Sequence, residues 1–161
     1  MDYRMRRFKQ QISDEASKKI LCASTNGILS LTNADGSPYG VPLSFAYDGN
    51  SSIYFHSAVT GHKIDCINHE SRCSFCVVAQ DKIVPEEFTS YFRSVIVNGR
   101  IKVVDDDSEI MKGLLLLCDK YSPGIDSSSE INKCISHVKI LRLDIETMTG
   151  KEAIELIRPI S

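Results

Sequence analysis

The segment Ser94-Val95-Ile96-Val97-Asn98-Gly99-Arg100-Ile101-Lys102-Val103 constrains the fold more than any other. Val95, Val97, Ile101 and Val103 share one face, while Asn98, Arg100 and Lys102 take the other. That period of two is the signature of a strand with one buried and one wet face. Partners for it are legible elsewhere in the chain. Residues 27–32 and 39–47, joined by the turn-rich Asn33-Ala34-Asp35-Gly36-Ser37-Pro38, read as a hairpin. A turn at 48–51 precedes a third strand at 52–56, and 72–80 and 138–147 read as further strands. A loop containing Pro85 leads into the long strand.

Helices punctuate this meander. Ser13-Asp14-Glu15 offers a cap and an acidic first turn to a helix over 14–23. A short helix is expected from about 61 to 68, and Asp105-Asp106-Asp107-Ser108 caps an apolar helix over 108–120 that stops at Tyr121-Ser122-Pro123-Gly124. A last short helical segment falls around 130–136. Five or six antiparallel strands with a few helices suggest a closed or partly closed barrel, because closure removes exposed edges.

At 161 residues, 42% hydrophobic and 25% charged, the chain has the size and balance of one ordinary globular domain over 1–161. A net charge of -2 gives no general attraction to phosphate backbones or anionic membranes, so neither nucleic acid nor membrane is an expected partner. The charged N-terminal Met1-Asp2-Tyr3-Arg4-Met5-Arg6-Arg7 is not followed by an apolar run, and no signal peptide is expected. Leu114-Leu115-Leu116-Leu117-Cys118 is too short to cross a membrane. A soluble, cytoplasmic protein is the expectation. The six scattered cysteines read as free thiols, and Cys73-Ser74-Phe75-Cys76 lies in a strand-like run with no second pair at zinc spacing, so no metal site is expected.

The segment Ile53-Tyr54-Phe55-His56-Ser57-Ala58-Val59-Thr60-Gly61-His62-Lys63-Ile64-Asp65 carries the chemistry. A strand ends in a small-residue loop that opens a helix, and a hydroxyl (Ser57), an imidazole (His62) and an ammonium (Lys63) gather at the free N–H groups of that helix. Such a place suits a phosphate, although a plain strand-to-helix connection with a solvated lysine has the same pattern. Upstream, Tyr39-Gly40-Val41-Pro42-Leu43-Ser44 places a proline in a strand, which marks an edge, a bulge or the approach of a ligand.

Taken together, Met5-Arg6-Arg7, Pro-Tyr-Gly-Val-Pro-Leu-Ser at 38–44, Phe-His-Ser-Ala at 55–58, Gly-His-Lys at 61–63 and Phe-Arg-Ser-Val-Ile-Val-Asn-Gly at 92–99 resemble the pyridoxamine 5'-phosphate oxidase-related flavoproteins. The branch most resembled includes the nitroimidazole-resistance proteins. The order of these pieces carries the resemblance, since each alone is weak.

The resemblance implies a mainly β domain with flanking helices, a six-stranded antiparallel split β-barrel, that binds FMN at the junction of a homodimer. In that arrangement Val41, Pro42, Leu43 and Ser44 run along the flavin ring, Ser57, His62 and Lys63 hold the phosphate, Ala58 is a further cofactor contact, and Arg93 and Ser94 lie near the flavin or the partner subunit. Many relatives have Arg-Lys where this chain has His62-Lys63, so phosphate affinity is expected to fall as His62 loses its proton. His56, ending a strand beside the phosphate loop, is either a catalytic residue reaching a substrate over the flavin or a half-buried histidine bonded to backbone.

The implied activity is oxidoreduction between a small-molecule electron donor, such as a reduced nicotinamide, and a small aromatic acceptor, nitro compounds included. The C-terminal Glu155-Leu156-Ile157-Arg158-Pro159-Ile160-Ser161 has a single Arg, so oxidation of pyridoxamine phosphate itself is not expected. A non-catalytic flavin-binding module or a haem-binding split barrel remains the alternative, because fold alone does not separate them.

Overall fold

A computed structural model describes residues 4–157. Residues 1–3 and 158–161, and with them part of the N-terminal reading and the lone C-terminal Arg158, lie outside the described residues. In chain order the elements are β1 (Gln11–Ile12), α1 (Asp14–Ala23), β2 (Asn26–Thr32), β3 (Pro38–Ser44), β4 (Ala46–Tyr47) and β5 (Ser52–Ala58). There follow α2 (His62–His69), β6 (Arg72–Val84), β7 (Thr89–Val103), α3 (Asp107–Tyr121), α4 (Ser128–Cys134), β8 (Val138–Glu152) and α5 (Ile154–Ile157). All the strand pairings are antiparallel, so the expected mainly β class with flanking helices holds. Six of the strands have seven or more residues, and β1 and β4 add two residues each.

The sheet runs β3-β2-β6-β7-β8-β5-β4. Its two ends are the two halves of one chain segment, because β3 and β4 are separated only by Phe45. The first half pairs with β2 as far as Asn26↔Ser44. The second pairs with β5 through Ala46↔Tyr54 and Tyr47↔Ile53. This exchange of partners closes the sheet into a barrel. Inside lie Leu29, Phe45, Ile53, Phe55, Phe75, Val77, Val95, Val97, Leu141 and Leu143, with Leu21 of α1 and Ile64 and Ile67 of α2 in the same core. Phe75 is the hub, meeting Phe45 and Phe55 edge-on at 4.8 and 5.1 Å between ring centroids. The alternation of β7 therefore does what its sequence demands.

Bulges aim the long strands. The β7–β8 register shifts between Asn98↔Thr147 and Gly99↔Ile145. There the backbones come so close that a Cβ on Gly99 would stand 2.0 Å from the carbonyl oxygen of Asp144. The β6–β7 register shifts between Val78 and Gln80, and beyond that point both strands continue as a ribbon to Val84 and Thr89. The sequence reading made most of this ribbon a loop. Gln80-Asp81-Lys82-Ile83-Val84 is mostly exposed, with no core to impose alternation, and backbone pairing alone extends it.

A second core lies outside the barrel wall, where Leu114 and Leu117 of α3 and Ile131 of α4 pack on Ala46, Tyr54, Val104 and Ile140. Polar groups pin this layer. The Tyr54 hydroxyl donates to the Glu109 carboxylate, and Arg142 approaches Glu109 at 3.2 Å and Asp144 at 2.9 Å. The Tyr54 bond, with Arg142 assisting, holds the Glu109 carboxyl below its usual range. Asp106 caps α3 by accepting from the Glu109 N–H at 2.9 Å, as the sequence reading required. No helix among the described residues is long and apolar enough to cross a membrane.

Tyr121, the last residue of α3, fastens the barrel seam. Its hydroxyl accepts from the Phe45 N–H at 2.9 Å and faces the carbonyls of Phe45 and Thr25. Those backbone groups have no ladder partner at the point where the strand changes neighbours. Tyr121→Phe should therefore destabilise the fold by about 1–3 kcal/mol, the usual cost of stranding half-buried polar groups. A urea melt should show a lower midpoint at unchanged slope; an unchanged midpoint would remove Tyr121 from this role.

Candidate functional site

The seam generates the site. Continuing the β4–β5 register by two residues would set Ser44 opposite His56, but pairing stops at Ala46↔Tyr54 and the strands diverge. Ser44 and His56 line the same cleft of about 430 Å³, closed on its far side by Leu114, Leu117, Cys118, Tyr121 and Cys134 of α3 and α4. No Asp, Glu, Lys or Arg side chain lines it. Its walls suit an uncharged molecule, with the exposed His56 imidazole as the nitrogen heterocycle among its lining side chains.

Along β3, Val41 and Leu43 pack against the barrel core while Pro42 and Ser44 face outward. Pro42 has no N–H, so it costs this strand no hydrogen bond on the diverging side. Ser57 is buried and Ala58 is exposed, and three residues further Gly61, at φ 135°, opens α2. No side chain caps α2, whose first intrahelical bond runs from the Asp65 N–H to the Gly61 carbonyl at 3.1 Å. The N–H groups of its first turn thus have no side-chain acceptor.

Lys63 stands in that first turn, half-buried, with no carboxylate partner among the described residues. Desolvation pushes its ammonium below the usual lysine range. A cation without a carboxylate partner and free N–H groups in one helical turn are the combination whose charge favours a nearby anion.

His62 is differently engaged. Its Nε2 donates to Asn33 Oδ1 at 2.6 Å, and its ring stacks on Tyr39 at 4.3 Å. The sequence reading paired His62 with Lys63 at one ligand; in the structure the imidazole turns toward the β2–β3 turn. No local pattern signals that contact, since Asn33 lies 29 residues away.

Arg93 and Ser94 sit on β7 at the bulge. Arg93 pairs with Glu152 at 3.0 Å and reaches Gln80 at 3.3 Å, beside a groove of about 480 Å³ between the end of α1 and the bulged β6. Asn26 lines this groove and is the strand partner of Ser44, so the groove and the seam cleft flank neighbouring positions. Ser94 pairs with Val78 on one side and Lys151 on the other. Within one chain, then, Ser44 and His56 share a cleft, Lys63 and His62 share a helix start but face different neighbours, and Arg93 lines a separate groove. Sequence reasoning gave Tyr121 only as the point where a helix stops, yet it lines the cleft and ties its backbone.

The thiols divide by strand geometry. Residues three apart on a strand point to opposite faces, so Cys73 is buried in the barrel and Cys76 faces outward. A disulfide or a shared metal between them would break β6. Burial pushes the Cys73 thiol up to about 12, so at pH 8 only about one molecule in ten thousand carries the reactive thiolate. Iodoacetamide at pH 8 should label the exposed Cys22 and spare Cys73 until the protein unfolds. Mass mapping that finds Cys73 labelled as early as Cys22 would contradict this placement.

Three comparisons bear on the arrangement. The family profile described as Pyridoxamine 5'-phosphate oxidase matches residues 13–152. The chain is similar in structure to a candidate 5-nitroimidazole antibiotic resistance protein from Bacteroides thetaiotaomicron, at 23% identity, 88% coverage of this chain and 86% of the other, and a TM-score of 0.76. It is similar also to an FAD-binding protein from Mesorhizobium loti (27% identity, 89% and 96% coverage, TM-score 0.65). A flavocytochrome from Azotobacter vinelandii matches at 20% identity, with 94% and 72% coverage and a TM-score of 0.76. Among curated proteins none matches the chain. These likenesses agree on the split-barrel fold.

Proposed function

Because the chain belongs to the pyridoxamine 5'-phosphate oxidase family, we propose that it is a flavoprotein, holding FMN at the barrel seam of a homodimer and reducing small uncharged aromatic compounds. The observation that carries this reading is Lys63, a desolvated cation without a carboxylate partner among the described residues, in the first turn of the uncapped α2. The flavin phosphate would take Lys63 and the free N–H groups of that turn, with the Ser57 hydroxyl nearby. The diverging edges of β3 and β5 would address the ring through the backbone of Val41, Pro42, Leu43 and Ser44 and through Ala58. His62, held by Asn33 and Tyr39, would flank that phosphate.

A flavin bound there would supply the electron chemistry between a donor such as a reduced nicotinamide and the acceptor. The protein's part is positioning and exclusion. Leu114, Leu117 and Val138 desolvate an acceptor in the seam cleft, and His56 can hold a proton toward it. A cleft without charged side chains favours neutral acceptors over anionic ones, in keeping with nitroaromatic compounds such as 5-nitroimidazoles.

Support for the homodimer comes from the outward sheet face. Pro42, Ile28, Cys76, Ile96 and Thr149 stand in one row across five strands. Ile28 and Ile96 are each 43% exposed, and Val78, one position over, is 64% exposed. An apolar stripe of this kind on a barrel wall is suited to a second copy, and Arg93 and Ser94 on the same strand would then border the partner's flavin.

Purified protein should carry or take up FMN and show a flavin absorption spectrum, whereas a Soret band would redirect the reading to haem. Lys63→Ala should weaken FMN by about 1.5–3 kcal/mol, roughly ten- to a hundredfold, and leave riboflavin nearly unaffected. Equal losses for both flavins in a fluorescence titration would refute the phosphate assignment. Light scattering of the loaded protein should give a dimer, and a flavin-loaded monomer would refute the shared site.

A further inference from the structure

The β6–β7 ribbon ends in an exposed, acidic, aromatic knob. Its turn, Pro85–Glu87, is followed by Phe88, which is 98% exposed and held at φ 52°. A bulky residue in the left-handed region with its ring entirely in water is unfavourable on both counts. Glu86 and Glu87 flank it, and neither has a Lys or Arg partner among the described residues, although Tyr91 donates to Glu87 at 2.8 Å.

The complementary shape occurs elsewhere on the same chain. A notch of about 340 Å³ is lined by Arg6, Arg7, Phe8, Lys9, Gln10 and Ile154. None of its three cations has a carboxylate partner among the described residues. Gln10, only 5% exposed, has its Oε1 without a hydrogen-bond partner there.

The knob does not reach its own notch. β7 last pairs with β8 at Arg93↔Glu152, and Ile154 follows two residues later, so the notch adjoins the ribbon's base. From Arg93 to Thr89 the ribbon runs on for roughly 13 Å at the usual strand rise. Folding back would break the β6–β7 pairing at Lys82↔Tyr91 and Ile83↔Ser90. A second copy has no such obstacle, and a two-fold axis uses knob and notch twice.

We propose that the ribbon tip Pro85-Glu86-Glu87-Phe88 of one copy docks in the Arg6-Arg7-Phe8-Lys9-Gln10 notch of another, so that two reciprocal arms lock the homodimer. Phe88 meets Phe8 and Ile154, and the carboxylates meet the Arg and Lys side chains. This rests on the homodimer reading and adds to it a salt-sensitive contact far in sequence from the flavin loop.

Sedimentation equilibrium on the full FMN-loaded chain tests it. Glu86→Arg with Glu87→Arg, and separately Arg6→Glu with Arg7→Glu, should each weaken dimerisation about tenfold or more at low salt, and all four together should restore most of the loss. Phe88→Ala, which removes a ring fully exposed in the single chain, should weaken the dimer without lowering the monomer's stability. A benzophenone amino acid at position 88 should crosslink to residues 6–10 or 154 of the second copy. A dimer indifferent to both charge reversals, purely additive losses, or crosslinks confined to other segments would overturn this arm contact alone. A wild-type chain monomeric at every concentration would overturn the homodimer with it, while leaving FMN titration free to report on the flavin site.

Discussion

Everything in this molecule depends on Phe45, where one strand stops pairing with β2 and starts pairing with β5. Closing a sheet this way leaves a short stretch of backbone with no ladder, and buried backbone groups cannot be left unpaired. The Tyr121 hydroxyl meets that demand from outside, while the Phe45 ring meets it from inside by filling the barrel against Phe75. Lys120 adds its ammonium over the Phe45 ring at 3.9 Å, on the same turn of α3. The helix that lids the cleft is thus the helix that fastens the barrel.

Charge is distributed with the same economy. The chain is nearly neutral, so local pairing matters more than net charge. Glu109, Arg142, Asp144 and Asp48 are taken up in pairs that hold α3 to the wall. Arg93 is anchored by Glu152, and Glu70 grips Arg72 so firmly that its carboxyl falls to about 2. Lys63 and the Arg6, Arg7 and Lys9 group stand outside this pairing. The paired charges position the scaffold, while Lys63 and the Arg6, Arg7 and Lys9 group lie at the two proposed contact points, one for a phosphate and one for a protein arm.

Much of the architecture was legible in the sequence because burial writes a period into it. Val95, Val97 and Ile101 alternate since one face of β7 fills the barrel, and Ser13 and Asp106 announce their helices because caps are local hydrogen bonds. The ribbon beyond Gln80 was not legible, since Asp81, Lys82 and Ile83 are exposed and no buried face writes a period into that stretch. Nor was the break at Phe45, which looks like any strand residue until its two neighbours' partners are known. The candidate site was legible where its chemistry is local, as at Gly61-His62-Lys63. It was opaque where contacts are long-range, as with Asn33 on His62 or Tyr121 on Phe45.

The same hydroxyl geometry also narrows the chemistry available in the cleft. Tyr121 lines it and, as a phenol, is a natural choice of proton donor. A hydroxyl has one proton, however, and that of Tyr121 is directed at the carbonyls of Thr25 and Phe45 while its oxygen accepts from the Phe45 N–H. Giving the proton to a substrate would unfasten the seam that shapes the cleft. Ser44 and Ser122 have hydroxyls too weakly acidic to serve, and the thiols of Cys118 and Cys134 belong to the packed second core. His56 alone combines an exposed ring with a place on a strand anchored on its other side by β8, at His56↔Ile140. Within the proposed reduction, His56 is therefore the lining side chain left to supply a proton.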